Sequence, residues 1–149
     1  MANMQTVNID ISTSASVLER VRLETGYAAK KDDPNGDSFE QMGAVEDDAQ
    51  ILMTYYGDAV KDIVSALAGK VSALTGTALT LSLSDSWDGG LRTSLEASVN
   101  EYLFSRVCSR WMRLVKEGEE RKYSADAEAS MSKVREIAYY KKRFSRPGS

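Results

Sequence analysis

Leu91 to Val115 reads LRTSLEASVNEYLFSRVCSRWMRLV, and this stretch decides the fold. Its apolar residues fall at Leu91, Leu95, Val99, Tyr102, Leu103, Val107, Trp111, Leu114 and Val115. Steps of three and four keep one face of an α-helix apolar. Phe104, Cys108 and Met112 widen the stripe beyond a thin coiled-coil seam. The spacing predicts a central core helix over about 88–116, with Asp85, Ser86 and Asp88 as candidate N-caps and Arg106, Arg110 and Arg113 on the wet side. Nothing in the stretch points to catalysis.

Downstream, Lys116 to Lys122 is polar and reads as a turn. Tyr123, Ala127, Met131, Val134, Ile137 and Ala138 then mark a second helical face. Helix, short turn and helix make an αα-hairpin. Lys141, Lys142, Arg143 and Arg146 follow as a basic tail over 141–149, with Phe144 inside it and Pro147 as a stop. Positive charge at a helix C-terminus is favourable in itself. The cluster also suits docking onto nucleic acid or an acidic protein surface.

Upstream, Thr77 to Ser84 (TALTLSLS) alternates, with Leu79, Leu81 and Leu83 on one face, and reads as a strand. Thr6 to Ile11 alternates too, with Val7, Ile9 and Ile11 together, as an edge strand or an arm over 1–12. One short strand makes no sheet. It needs the N-terminal strand, a hairpin partner or a neighbouring subunit. Ser16 and Glu19 form a capping-box pattern that predicts a helix from about Ser16, fading over Gly26 to Lys31. Val45-Glu-Asp-Asp48 predicts the start of another helix, whose apolar face runs from Ile51 through Leu52, Tyr56, Ala59, Ile63 and Leu67 to Val71. Gly57 inside it implies close packing or a bend, and Leu74 to Gly76 its end. Between these helices, Lys31 to Asp37 is turn chemistry. Its carboxylates lack the glycine and glutamate spacing of a calcium loop.

The fold expected is therefore mainly α. A single domain over 1–149 holds a compact helical bundle, a C-terminal hairpin and a minor β element at about 6–12 and 77–84.

Composition narrows the function. With 149 residues, 28% charged and a net charge of −3, the chain is no electrostatic nucleic-acid binder as a whole. It has no histidine and one cysteine, so the usual general base, the usual metal ligand and any intrachain disulfide are missing. Cys108 sits at core spacing and reads as a small hydrophobe. The glycines fit neither a P-loop nor a dinucleotide fingerprint. The pairs Asp32/Asp33, Asp85/Asp88 and the run Glu46/Asp47/Asp48 fall at turns and helix starts, where carboxylates are common. The expectation is no enzyme, no cofactor and no metal. MANMQTVNID does not read as a signal peptide, and no run of about 18 apolar residues predicts a membrane span.

One resemblance rests on the order of elements. An acidic turn opens a helix (Glu46 to Leu52), a Leu-alternating strand leads to Asp85-Ser-Trp-Asp88, the central helix carries Leu95 to Val99, Tyr102-Leu103 and Trp111, and an Ala-rich helix ends in Tyr139-Tyr-Lys-Lys-Arg143 and Arg146-Pro147. Over about 45–147 this resembles small proteins from the structural-gene clusters of tailed phages and prophages of Bacteroides-type bacteria. More distantly, the helical plan is similar to head–tail connector, or adaptor, proteins. The resemblance implies a non-enzymatic virion neck protein, assembled in the host cytoplasm. It forms a homo-oligomeric ring between the portal and the tail or stopper, with DNA passing transiently through the lumen. By position, Leu79, Leu81, Leu83, Lys141, Lys142, Arg143, Phe144 and Arg146 become candidate partner contacts. A tail-completion or tail-terminator protein is the nearest alternative. A small helical regulator gripping DNA with the basic tail is a further one, testable by salt-dependent DNA binding.

Overall fold

The computed structural model describes residues 4–11, 14–32, 48–75 and 78–140, with the side chains of 16–26 in the first helix. The order is β1 (Met4–Asp10), α1 (Ser14–Asp32), α2 (Ala49–Ala66), β2 (Val71–Thr75), β3 (Ala78–Ser84), a 3-10 turn (Gly89–Leu91), α3 (Arg92–Val115) and α4 (Glu117–Ala138). The fold is mainly α, four helices with a small antiparallel sheet.

α3 is the central element. Half of its 24 residues are buried, and the apolar stripe from Leu95 to Met112 lies in the core. Asp88 caps the 3-10 turn ahead of α3 by accepting a hydrogen bond from Gly90 N at 2.9 Å, whereas Leu91, at the N-cap of α3 itself, makes no side-chain cap bond. Only Lys116 is non-helical between α3 and α4, so the polar turn expected over 116–122 shrinks to one residue. Glu117, Glu119 and Glu120 instead form the first turn of α4, where carboxylates favour the helix dipole. Arg113 pairs with Glu120, Arg106 reaches Ser124, and Trp87 Nε1 donates to Ile137 O. Those pairings run in opposite directions along the two helices, which is the expected antiparallel hairpin. Tyr123, Ala127, Val134 and Ala138 are buried, with Met131 and Ile137 packed beside them.

α2 also runs antiparallel to α3, with Tyr55 O near Arg110 and Asp62 near Tyr102. It ends at Ala66, earlier than the apolar pattern implied, because Gly69 takes a positive φ of 85° and reverses the chain. Val71 therefore belongs to β2. No heavy atom lies within 4 Å of a Cβ built at Gly57, so close packing does not explain that glycine. α1 begins at Ser14, which puts Ser16 inside the helix instead of at its cap, and continues through buried Gly26 to Asp32.

The sheet order is β1-β3-β2, antiparallel throughout. Leu81 sits opposite Val7 on one side and Val71 on the other. Both the N-terminal strand and a hairpin partner thus supply the pairing β3 requires. Val7, Ile9, Leu79, Leu81 and Leu83 turn inward and join one cluster with Leu52, Ile63, Leu95, Val99 and Val107. Thr6, Asn8, Thr80 and Ser82 face outward, tied by the Thr80 hydroxyl donating to Asn8 Oδ1.

Candidate functional site

The expected contact residues separate. Leu79, Leu81 and Leu83 are at most 1% exposed. They are core residues, and β3 has a strand on each side, so neither its side chains nor its edge is free for a partner. That corrects their assignment as interface residues. The alternation was read correctly, but the apolar face is satisfied within the chain. Lys141, Lys142, Arg143, Phe144 and Arg146 lie outside the described residues, as do Val45 and, of the turn expected over Lys31 to Asp37, all but Lys31 and Asp32, which belong to α1.

The two outer strands differ. β1 is blunted by side chains of α3. Arg92 Nε donates to Asn8 O at 2.8 Å, Asp10 N donates to Glu96 Oε2 at 2.9 Å, and Asn100 Nδ2 donates to Asp10 O at 3.0 Å. β2, sequence VSALT, carries no charge and no proline, and Ser72 to Thr75 are all exposed. Its Ser72 hydroxyl turns back to Thr80 O. Among the described residues no group bonds its outer edge, and Leu74 beside that edge is 44% exposed.

A second feature is an open cleft of about 660 Å³ where α2, α3 and α4 meet, lined by Asp62, Tyr102, Arg106, Arg110, Glu128 and Arg135 among others. Tyr102, Arg106 and Arg110 recur every fourth residue on α3, so the helix aims them in one direction. α2 meets them with Asp62. Arg110 Nη2 and the Tyr102 hydroxyl both reach Asp62 Oδ2 at 2.8 Å. Arg106 Nε donates to the Tyr102 oxygen at 3.3 Å, and its Nη1 reaches the Ser109 and Ser124 hydroxyls at 3.5 Å. Arg106 and Arg110, expected on an open wet face, instead line a polar seam between helices. Arg135 comes to the rim from α4.

The electrostatics follow from that geometry. Burial works to raise the Asp62 pKa. The hydrogen bonds from Tyr102 and Arg110 and the charges of Arg110 and Arg106 outweigh it, and the carboxyl is held below its usual range. Burial and the hydrogen bond to Asp62 push the Tyr102 phenol up. Asp62 therefore stays ionised and Tyr102 protonated at neutral pH, and the cleft is suited to holding anions more than to exchanging protons. Elsewhere, burial and the hydrogen bond to Glu24 push Tyr123 up. Cys108 is buried, and burial followed by the Glu24 charge raises its thiol, so it is inert as a nucleophile.

The sequence reading placed Tyr102 on the apolar stripe and Arg106 and Arg110 on the wet side, and did not join them into this row. Asp62, Glu128 and Arg135 were not singled out either, because the cleft they line is made by three helices and not by spacing along one. Among the described residues no helix is long and apolar enough to cross a membrane, and no cluster of three metal-ligating side chains forms. Comparison with protein-family models, with curated proteins and with solved structures finds no match for this chain.

Proposed function

We propose that the chain is a non-enzymatic structural protein that assembles with copies of itself, as a subunit of the head–tail connector ring of a tailed phage. There it joins the portal to the tail or stopper and leaves a lumen through which DNA passes. The observation that carries the self-assembly part is the asymmetry of the sheet. One edge is closed by Arg92, Glu96 and Asn100, while among the described residues nothing bonds the edge of β2, which is neutral and flanked by exposed Leu74. An uncovered edge is a template for another strand unless charge or proline blunts it. The neck assignment rests on the resemblance in element order over 45–147. The titration shifts support a non-catalytic role, since those of Asp62, Tyr56, Tyr102, Cys108 and Tyr123 all move away from neutrality. A DNA-reading regulator fits less well, because α3 is packed by other elements and its Arg106 and Arg110 point into the cleft.

The test is the solution mass of the purified chain by light scattering, alone and with the portal protein of its gene cluster. A ring-sized species, or a chain captured stoichiometrically by the portal, is the expected result. Leu74→Lys, which sets a charge beside the outer edge of β2, should reduce assembly and leave the helical circular dichroism signal unchanged. A monomer indifferent to the portal removes the connector reading, and salt-dependent DNA binding then favours the regulator.

A further inference from the structure

The cleft between α2, α3 and α4 holds more positive charge than it neutralises. Of its two carboxylates, Asp62 is engaged by Arg110 and Tyr102, and Glu128 lies exposed at the rim. Arg106 spends its donors on hydroxyls at 3.3–3.5 Å, the long end of hydrogen bonding. Arg135 is exposed on the same rim. Among the described residues neither Arg106 nor Arg135 forms an ion pair, whereas Arg20, Arg22, Arg92, Arg110 and Arg113 all do. A guanidinium offers five donors in a planar fork that matches a carboxylate. Two such groups facing one open cleft, with the Tyr102 hydroxyl between Arg106 and Asp62, suit a carboxylate ligand.

The sequence contains the complement. From Asp32 to Asp48 it carries seven carboxylates and no lysine or arginine. Without that stretch the 19 basic residues outnumber the remaining acidic ones, so the chain's net negative charge resides there. Asp48 is the N-cap of α2, and Asp62 is fourteen residues further along the same helix, about 21 Å away at 1.5 Å per residue. A second copy of the chain brings the same acidic stretch to this cleft, and its charge complements the guanidiniums there.

We infer that the cleft docks the acidic stretch between Asp33 and Asp47 of a second copy of this chain, through ion pairs to Arg106 and Arg135. The inference rests on the self-assembly reading above and adds to it a polar contact separate from the β2 edge. It gives copies a fixed register, because carboxylates misplaced from the guanidiniums meet Asp62 and Glu128 instead.

The experiment is a fluorescence-anisotropy titration of the full chain into a labelled peptide with the sequence of Asp32 to Asp48. Binding is expected. It should weaken by about tenfold or more in Arg135→Gln, which alters only an exposed side chain, and in Arg106→Gln. Arg113→Gln, on the far part of α3 beside Glu120, should leave it unchanged. A peptide with Asn and Gln in place of its carboxylates should not bind, and about 1 M salt, where screening extends to ~3 Å, should abolish binding. Equal binding by Arg135→Gln and the parent chain overturns the inference, as does equal binding of the neutral peptide. Calorimetric binding of inorganic phosphate without binding of the peptide also overturns it, in favour of a small-anion site. Light scattering on the same variants separates the two readings. Self-assembly without peptide binding removes the cleft contact and leaves the connector reading standing. Peptide binding by a chain that never assembles, with or without portal, removes the connector reading and the second-copy occupant together.

Discussion

Replacing Leu81 by Ala separates a core role from an interface role for β3. Leu81 is fully buried, opposite Val7 of β1 and Val71 of β2, and its side chain joins the cluster that includes Leu95 and Val99. Truncating a buried leucine removes its transfer free energy and leaves a cavity, together about 2–5 kcal/mol. The upper half of that range applies here, because strands on both sides and helices beneath limit how far the site can collapse. For a chain of this length each 1 kcal/mol shifts Tm by about 2–4 °C, so a loss of about 4 kcal/mol lowers Tm by roughly 8–16 °C. That is a large part of the 5–15 kcal/mol typical of a folded domain. The assay is urea denaturation followed by far-UV circular dichroism at low protein concentration, where assembly contributes little. A lower midpoint with an unchanged m-value is expected. A stability change below about 1 kcal/mol, combined with lost assembly, would return Leu81 to an interface and refute its placement in the core.

Three further outcomes follow from the same physical grounds. The Asp62 pKa is depressed in the folded state, so its ion pair stabilises above the ordinary carboxylate value of 3.8 and is lost as pH falls through the lower folded value. Asp62→Asn should therefore flatten the acid limb of a stability-against-pH curve below about pH 4 and lower the plateau at neutral pH. Gly57→Ala should stabilise by about 0.5–1 kcal/mol, since the helix position is open, whereas Gly69→Ala should destabilise by about 1 kcal/mol or more, since φ is 85° there; paired urea curves read both signs. Cys108 should resist iodoacetamide in the native chain and react fully in denaturant, as followed by mass spectrometry; rapid native labelling would mean that the α3 core opens.

The amphipathic period made α3 and α4 legible in the sequence, because a stripe at steps of three and four has one folded outcome. The Leu alternation likewise marked β3 and its buried face. What it left open was the partner. The pairing of β1 with β3 joins residues some 70 apart, and nothing local in Val7 states that it sits opposite Leu81. The N-terminal end of α1 was misplaced for a local reason: Ser16 and Glu19 match a capping box, yet the helix is already formed at Ser14. The end of α2 was misplaced because apolar spacing continues through Leu67 and Val71. Gly69 interrupts it with a backbone turn that periodicity does not register. The sequence by itself determined the helices, the inward face of β3 and the inert setting of Cys108, since these follow from patterns along one element. Only the tertiary structure decided which sheet edge the described residues cover and which they leave open. It alone brought Asp62, Arg106 and Arg135 to one cleft, because these depend on contacts between elements, where hydrogen bonds and charges are satisfied across space and not along the chain.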